Sequence, residues 1–520
     1  MDRKLNKHPL YILLYVLFAF FVVMPIIYTF GTTIFNEEAI ANSLLLLKKE
    51  SLLLLGKSIL LASLVALVST LLGTVLGFLL YKTSILWRRF FKVALLIPLF
   101  MSPYILAVAW KDFFYIIFDN THILFSFLGV ALVLITIFTP LSILIIGSAL
   151  TNIDARLEDA AILLTNRFRV VLKILLPLIK PALITSFVLV FIFSLSEFSV
   201  PAFFGVKVFT TEIFTQFSAF YNHSFAILQS ALLVLICILL LLSERKYITD
   251  APFLSIGDKG INTKTYSIEK GQWKFFLLLI GWLLISVVFP FFILFSQALK
   301  DGTDKLMQAF DLLLPTMASS VALAFAGAVI IVLIGFSAAM LGSKNKTMLS
   351  RSFDGFLLIA FAIPSTIMGI SLIYFYNRPS LGFIYATYAI ILIAYVGKYS
   401  FISAKLIGNA LKQIPDSFDE AAQIEGVSLN SRLRRIILPL IFPSLLAAFV
   451  IGFIFSLGEL GISIMLYPPG TEIMPIKVFT IMANAPQSLT SSMTLIVFSI
   501  TLLIIISFYF LVKIFFRTND

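Results

Sequence analysis

Long apolar runs separated by short polar stretches dominate this chain. Twelve of them approach the roughly 20 residues a helix needs to cross a hydrocarbon core of about 30 Å. They fall near Leu10 to Phe30, Gly56 to Leu80, Val93 to Trp110, Ile123 to Ser148, Ala182 to Leu195 and His223 to Leu242, then near Lys274 to Leu299, Met317 to Leu341, Phe356 to Tyr376, Phe383 to Ser403, Ser444 to Leu457 and Ser491 to Phe515. The pattern predicts an all-α, polytopic membrane protein with twelve transmembrane helices.

The chain also repeats itself. At an offset of 262 residues Asp154 falls on Asp416, Glu158 on Glu420, Ala160 on Ala422, Leu176-Pro177 on Leu438-Pro439, and Pro181 on Pro443; Ser58 and Gly73 fall on Ser320 and Gly335. Pro98 and Pro364 align after a four-residue shift and predict bends at matching places. An even number of crossings separates the copies, so they form two parallel six-helix repeats related by a pseudo-twofold axis, with a path expected between them. The halves span 1–242 and 274–520, and a polar linker, 243–273, reads as cytoplasmic.

Composition and charge add constraints. With 60% hydrophobic residues, 54 phenylalanines and a mean hydropathy of +1.06, the chain exceeds what a soluble core could hide. The net charge of +12 follows from basic loops rather than from nucleic-acid binding: Arg3, Lys4 and Lys7 precede the first run, while Lys82, Arg88, Arg89 and Lys92, or Arg432, Arg434 and Arg435, occupy alternate loops. Both termini are therefore expected in the cytoplasm, and the first apolar run as a retained helix rather than a cleaved signal. A single cysteine, Cys237, and three scattered histidines, His8, His122 and His223, speak against a disulfide or a resident metal cluster.

One stretch breaks the apolar pattern: DSFDEAAQIEG, Asp416 to Gly426, gathers four carboxylates in eleven positions. Ser417 and Glu420 have capping-box spacing, the acids suit a helix N-terminus, and Gly426 permits a left-handed turn at the helix end. The expected product is a short surface helix ahead of Leu438-Pro439. A related stretch, LEDAAILLTNRFRVVLKILLP, runs from Leu157 to Pro177.

These two stretches resemble the coupling motif in the membrane subunits of ABC importers: E-A-A, three residues, Gly, nine residues, then I-x-L-P. The second half supplies Glu420, Ala421, Ala422, Gly426, Ile436 and Leu438-Pro439; the first supplies Glu158, Ala160, Ile174 and Leu176-Pro177, with Leu164 where glycine is expected. The resemblance covers nearly the whole chain and implies a fused pair of permease halves in a bacterial inner membrane, with coupling loops at 150–181 and 404–443. It implies two separate ATP-binding subunits docking at Asp154, Glu158, Asp159, Ala160, Ala161, Glu420, Ala421, Ala422 and Gly426. ATP and Mg belong to those subunits, and this chain binds no cofactor of its own. SLLLLGKS, Ser51 to Ser58, ends like a phosphate-binding loop, but four leucines fill it and it opens a membrane helix.

Ionisable residues at membrane depth default to function. Glu197 in FSLSEF and Glu459 in FSLGEL coincide at the 262 offset, each ending the fifth helix of its half. Facing the axis, they would form a carboxylate pair suited to a hard cation or an organic amine; alternatively they cap helix ends, pair with Lys207 or Lys477, or meet water. Lys398 is expected to snorkel, and Lys111-Asp112 to pair at the interface. The resemblance further implies loops meeting an extracytoplasmic substrate-binding protein, at Lys207, Thr210, Thr211 and Glu212 and at Pro468, Pro469, Gly470, Thr471 and Glu472, with V-F-T shared at Val208 and Val478 in a shifted register. Within the family the chain looks most like iron(III) permeases, ahead of those for thiamine or another organic cation and those for phosphonates. A proton-coupled transporter would want more buried carboxylates or histidines, and a membrane enzyme a convergent catalytic cluster.

Overall fold

The computed structural model describes residues 9–34, 37–119, 121–243, 265–266, 272–342, 347–482 and 484–517. Arg3, Lys4, Lys7, His8 and most of the 243–273 linker lie outside the described residues, as does the side chain of Asp416. The described chain is helical, with one isolated bridge between Thr83 and Tyr266.

In the first half α1 (Pro9–Thr33), α3 (Lys49–Lys82), α6 (Phe127–Thr151), α8 (Lys180–Ser196) and α11 (His223–Ser243) are apolar enough to cross a bilayer. Shorter helices join them: α2 (Glu37–Leu46), α7 (Ala155–Leu164), α9 (Ser199–Phe203) and α10 (Phe209–Ser218). The third crossing is broken into α4 (Arg88–Phe100) and α5 (Pro103–Phe118), bent by 102°.

The second half repeats this plan. Its crossings are α12 (Gln272–Ala298), α13 (Thr303–Gly342), the pair α14 (Met348–Ala362) and α15 (Ser365–Tyr376) bent by 108°, α16 (Ala389–Leu411), α18 (Leu438–Gly458) and α21 (Gln487–Arg517). Its short helices are α17 (Asp416–Ile424), α19 (Ser463–Leu466) and α20 (Met474–Ile481). Among the described residues ten crossings are continuous and two are broken pairs, twelve in all with each pair taken as one span. The breaks fall at Ser102-Pro103 and Ile363-Pro364, where the residue ahead of each proline is extended (ψ 136° and 125°), because proline removes a donor and disfavours helix in the preceding residue. Pro98, expected at the first bend, lies instead inside the short turn that ends α4.

The repeat extends to irregularities. The first crossing of each half contains a π-turn, Ala19–Val23 and Leu284–Val288, and another precedes the fifth, Val171–Leu175 and Leu433–Ile437. The second and fourth crossings of each half touch through glycine: a Cβ on Gly73 would lie 2.3 Å from Ser142 Cβ, and one on Gly335 would lie 2.6 Å from Ser403 Cβ. Each half also lays its first helix on the other. Helix α1 packs on α13 and α15, and α12 packs on α4 and α5. Polar bonds fasten that seam: Asp112, buried beside Lys111 (3.5 Å), accepts from Gln487 Nε2 at 2.6 Å and Ser491 Oγ at 2.5 Å. The expected Lys111-Asp112 pair is thus part of a clasp between halves.

Candidate functional site

Helices α8 and α18 stop at Glu197 and Glu459, whose backbones turn extended (φ −72°, ψ 128° and φ −74°, ψ 114°). Each carboxylate folds back on the short helix that follows. Ser199 N–H donates to Glu197 Oε1 at 2.8 Å and the Ser199 hydroxyl donates to the same oxygen; Ile462 N–H donates to Glu459 Oε1 at 3.0 Å. These bonds satisfy amides that a helix start leaves unpaired, so part of each glutamate's work is capping.

The same glutamates lie near the seam between the halves. They lie close enough to act on one another electrostatically. A Cβ on Gly461 would stand 3.4 Å from Glu459 Oε1 and 3.9 Å from Phe198 Cβ, and Ser102 Oγ, at the α4/α5 break, donates to Gly458 O at 2.6 Å. Of the alternative partners, Lys477 pairs with Glu472 at 2.7 Å, and Lys207 is exposed.

Helix α16 brings three polar side chains to this seam at i, i+3 and i+4 spacing, one helix face. Tyr399 donates its hydroxyl to Glu459 Oε2, and the Tyr395 and Ser463 hydroxyls are 2.9 Å apart. Lys398 Nζ donates to Phe361 O at 3.1 Å and Ile363 O at 2.5 Å, within electrostatic reach of both glutamates. It is 4% exposed and does not snorkel. The physical reason is the α14/α15 break, which frees carbonyls inside the bundle that need a donor. The Gly73–Ser142 contact of the first half and the Gly335–Ser403 contact of the second align α6 with α16, which puts Leu134, Ile137 and Phe138 at the places of Tyr395, Lys398 and Tyr399. The polar wall is one-sided. Its sequence signal was available: Tyr395, Lys398 and Tyr399 recur at helical spacing inside an apolar run.

At one end of the bundle lie α7 and α17. They begin at Ala155 and Asp416, an offset of 261, one residue less than the offset that aligns Glu158 with Glu420. Burial follows the shorter register. Leu157 and Phe418 are 57% and 53% exposed, Leu163 and Ile424 are 87% and 86% exposed, and Ala161 and Ala422 are both buried. Asp159-Ala160-Ala161 therefore matches Glu420-Ala421-Ala422, with both acids exposed, and Thr165, not Leu164, stands at the place of Gly426. Glu158, fully buried, faces inward.

The helix ends differ accordingly. Gly426 is left-handed (φ +68°), and Val427 N–H returns to Ala422 O at 3.0 Å; Thr165 leaves α7 extended (φ −155°). At the other end, Asp154 Oδ1 accepts from Arg156 N–H at 2.9 Å, whereas α17 starts on Pro415 without a side-chain cap, so the Ser417/Glu420 capping box does not form.

At the opposite end, α10 and α20 are hung on the second crossings by one repeated bond: Ser58 Oγ accepts from Phe209 N–H and Ser320 Oγ from Met474 N–H, both at 2.8 Å. This sets Phe209 against Met474 and overturns the V-F-T register. Lys207, Pro469 and Gly470 (φ +80°) are exposed. Thr211 caps α10 through Val208 (2.9 Å), Glu212 accepts from Gln216 at 2.7 Å, and Thr471 Oγ1 donates to Pro468 O at 2.6 Å, all partly exposed or loop-forming contacts. Thr210 and Pro468 are buried, Thr210 donating to Glu197 O at 3.1 Å, so neither belongs to that outer surface.

Two like halves, a polar seam between them and an exposed short helix on each define a membrane permease that works through outside partners. The chain belongs to the family of binding-protein-dependent transport system inner membrane components, which matches residues 69–248 and 331–519. It is similar to the ferric transport system permease protein FbpB of Actinobacillus pleuropneumoniae, 24% identical over 499 residues covering 87% of this chain and 71% of that protein. It resembles the Fe(3+)-transport system permease protein FbpB 2 of Haemophilus influenzae at 25% identity over 459 residues, covering 86% and 88%. The putative 2-aminoethylphosphonate transport system permease protein PhnV of Salmonella typhimurium is 28% identical over 200 residues, 38% of this chain and 72% of that protein. This chain is thus a multi-pass inner-membrane permease subunit of an ABC importer, a class that acts with ATP-binding subunits and a substrate-binding protein.

Proposed function

We propose that this permease imports iron(III). The observation that carries this reading is the oxygen-rich seam: Glu197 and Glu459 end equivalent helices within electrostatic reach of each other, with the Tyr399 hydroxyl on the Glu459 carboxylate. Carboxylate and phenol oxygens are hard donors that suit a hard, highly charged cation. The relatives named for ferric transport over most of their length support the same cargo.

Two ATP-binding subunits dock on the cytoplasmic face, one on Leu157, Asp159 and Leu163 of α7 and one on Phe418, Glu420 and Ile424 of α17. Each face offers a carboxylate between large apolar groups, fit for an apolar groove with a cation beside it. Asp154 shapes the start of the first helix and Gly426 the end of the second. ATP and Mg reside on those subunits, and this chain contributes no nucleotide site or cofactor. The substrate-binding protein meets the opposite, extracytoplasmic face around Lys207, Pro469 and Gly470, and both termini are cytoplasmic.

Closure of the motor pair rocks the halves and opens the seam to each side in turn. Arriving cargo exchanges the capping donors on Glu197 and Glu459 for its own charge and pauses there without becoming resident. Lys398 supplies the counter-charge that lets two carboxylates stand together in an apolar bundle. A second reading, an aminophosphonate, draws on the same lysine, since a zwitterion needs both charges and one relative is named for such cargo. Proteoliposomes holding the full complex and a loaded binding protein separate the two. Uptake of radiolabelled iron(III) is expected; uptake of 2-aminoethylphosphonate without iron would replace the first reading by the second.

A further inference from the structure

The burial of Glu158 leaves a carboxylate on the coupling helix that no motor can reach. Its partners are internal. Lys82 Nζ, at the last turn of α3, forms a fully buried ion pair with Glu158 Oε1, and the Tyr266 hydroxyl donates to Glu158 Oε2 at 2.5 Å. Tyr266 belongs to the linker between the halves. Its backbone adds to the chain after α3: Tyr266 N–H donates to Lys82 O at 2.7 Å and Ser84 N–H donates to Tyr266 O at 3.1 Å. Its ring stacks near Phe78 (6.4 Å) and joins the small apolar core of Ile153, Ala161 and Val170 under α7.

We infer that Lys82, Glu158 and Tyr266 form a pin that fastens the linker to the first coupling helix and makes α7, the end of α3 and the start of the second half one mechanical block. Six residues after Tyr266 the chain enters α12, which packs on α4 and α5 of the first half. Leu279 and Leu283 of α12 share a core with Leu76, Leu79 and Leu80 of α3. The pin lies where these parts converge. A buried charge pair loses much when one partner is removed, which favours it as a stiff joint. Push from the motor on Asp159 and its apolar neighbours then reaches α3 and α12 without being lost in the loop. Glu158, Lys82 and Tyr266 are positioning residues, and Asp159 is the motor-facing acid.

This inference rests on the importer reading, and the complete reconstituted complex tests it. Iron(III) uptake per ATP hydrolysed and retention of the ATP-binding subunits on the purified permease are measured together. Tyr266→Phe keeps the ring and removes one bond to a buried charge, so uptake per ATP should fall about tenfold with retention unchanged. Asp159→Asn should instead weaken retention. Tyr266→Phe combined with Glu158→Gln should be no worse than Glu158→Gln alone, since both break one joint. A protease site inserted between residues 250 and 251, ahead of the pin, should be cleavable without loss of uptake per ATP. Wild-type coupling in Tyr266→Phe, multiplying defects in the double variant, or a coupling loss on cleavage would overturn the pin. Failure of the wild-type permease to retain any ATP-binding subunit would instead overturn the importer reading.

Discussion

The fourth crossings of the two halves, α6 and α16, occupy the same place in the repeat and pack on their neighbours through the same glycine contact, yet they face the seam with different chemistry. Helix α6 presents Leu134, Ile137 and Phe138; α16 presents Tyr395, Lys398 and Tyr399. The lesson is that duplication fixed the frame while the polar side chains at the seam were supplied from one half. The difference matters because the break between α14 and α15 exposes carbonyls that Lys398 satisfies, and because Glu459, unlike Glu197, receives a phenol.

The largest break in that comparison should come from Lys398→Met. It strips the donor from Phe361 O and Ile363 O and the counter-charge from the two glutamates, and losing one member of a buried charged set costs about 3–5 kcal/mol. Thermal unfolding of the purified complex should drop well below wild type, whereas Ile137→Met at the equivalent place should leave it nearly unchanged. Equal losses would mean that the two walls are not different in kind. Next in size, Glu459→Gln should reduce iron(III) uptake more than Glu197→Gln, by about tenfold, because it also disturbs the hydrogen bond from Tyr399; a bond to a charged group is worth about 1.5–3 kcal/mol. Tyr399→Phe should narrow the gap between the two glutamine variants. Identical rates in both, with the ATP-binding subunits retained, would remove the one-sided wall from the transport mechanism.

Much of the frame was legible in the sequence, because apolar runs and a fixed repeat each report a backbone requirement; of the two expected bends, the one at Pro364 is present, while the other falls at Pro103 instead of Pro98. The pair Glu197 and Glu459 was legible for the same reason: equivalent places in a repeat carry equivalent residues. What escaped was register and burial. A one-residue shift in α6 and α7 relative to α16 and α17 makes Asp159, not Glu158, the exposed acid that matches Glu420, and a self-alignment anchored on the flanking Leu-Pro pairs conceals it. Lys398 looked like a lysine reaching for water because the demand it meets, two freed carbonyls, belongs to a helix break more than thirty residues away in sequence. Tyr266 lay in a polar linker with nothing nearby in sequence to mark it as half of a buried contact.

The comparison sharpens where the halves agree. Gly73→Ala and Gly335→Ala should cost similar amounts, since each new Cβ would stand at 2.3 Å from an atom of the facing serine with backbone atoms close behind. Overpacking of this kind costs about 1–3 kcal/mol. Parallel losses of thermal stability are expected, and a loss at one site alone would show that the two close approaches do not carry equal weight.

The smallest effect returns to the coupling helices. Gly426 turns left-handed to end α17, a conformation that costs an L-residue about 1–2 kcal/mol, and its Cβ would meet no neighbour. Gly426→Ala should therefore loosen the exit of α17 through backbone strain alone and modestly reduce retention of the ATP-binding subunit docked there. Thr165→Gly at the matching place offers freedom that the extended exit of α7 does not use, so retention should stay at the wild-type level. If Thr165→Gly instead strengthened docking, the extended exit would be a defect of the first half rather than its working geometry, and the two motor contacts would be one design imperfectly copied instead of two that differ in how the chain leaves the helix.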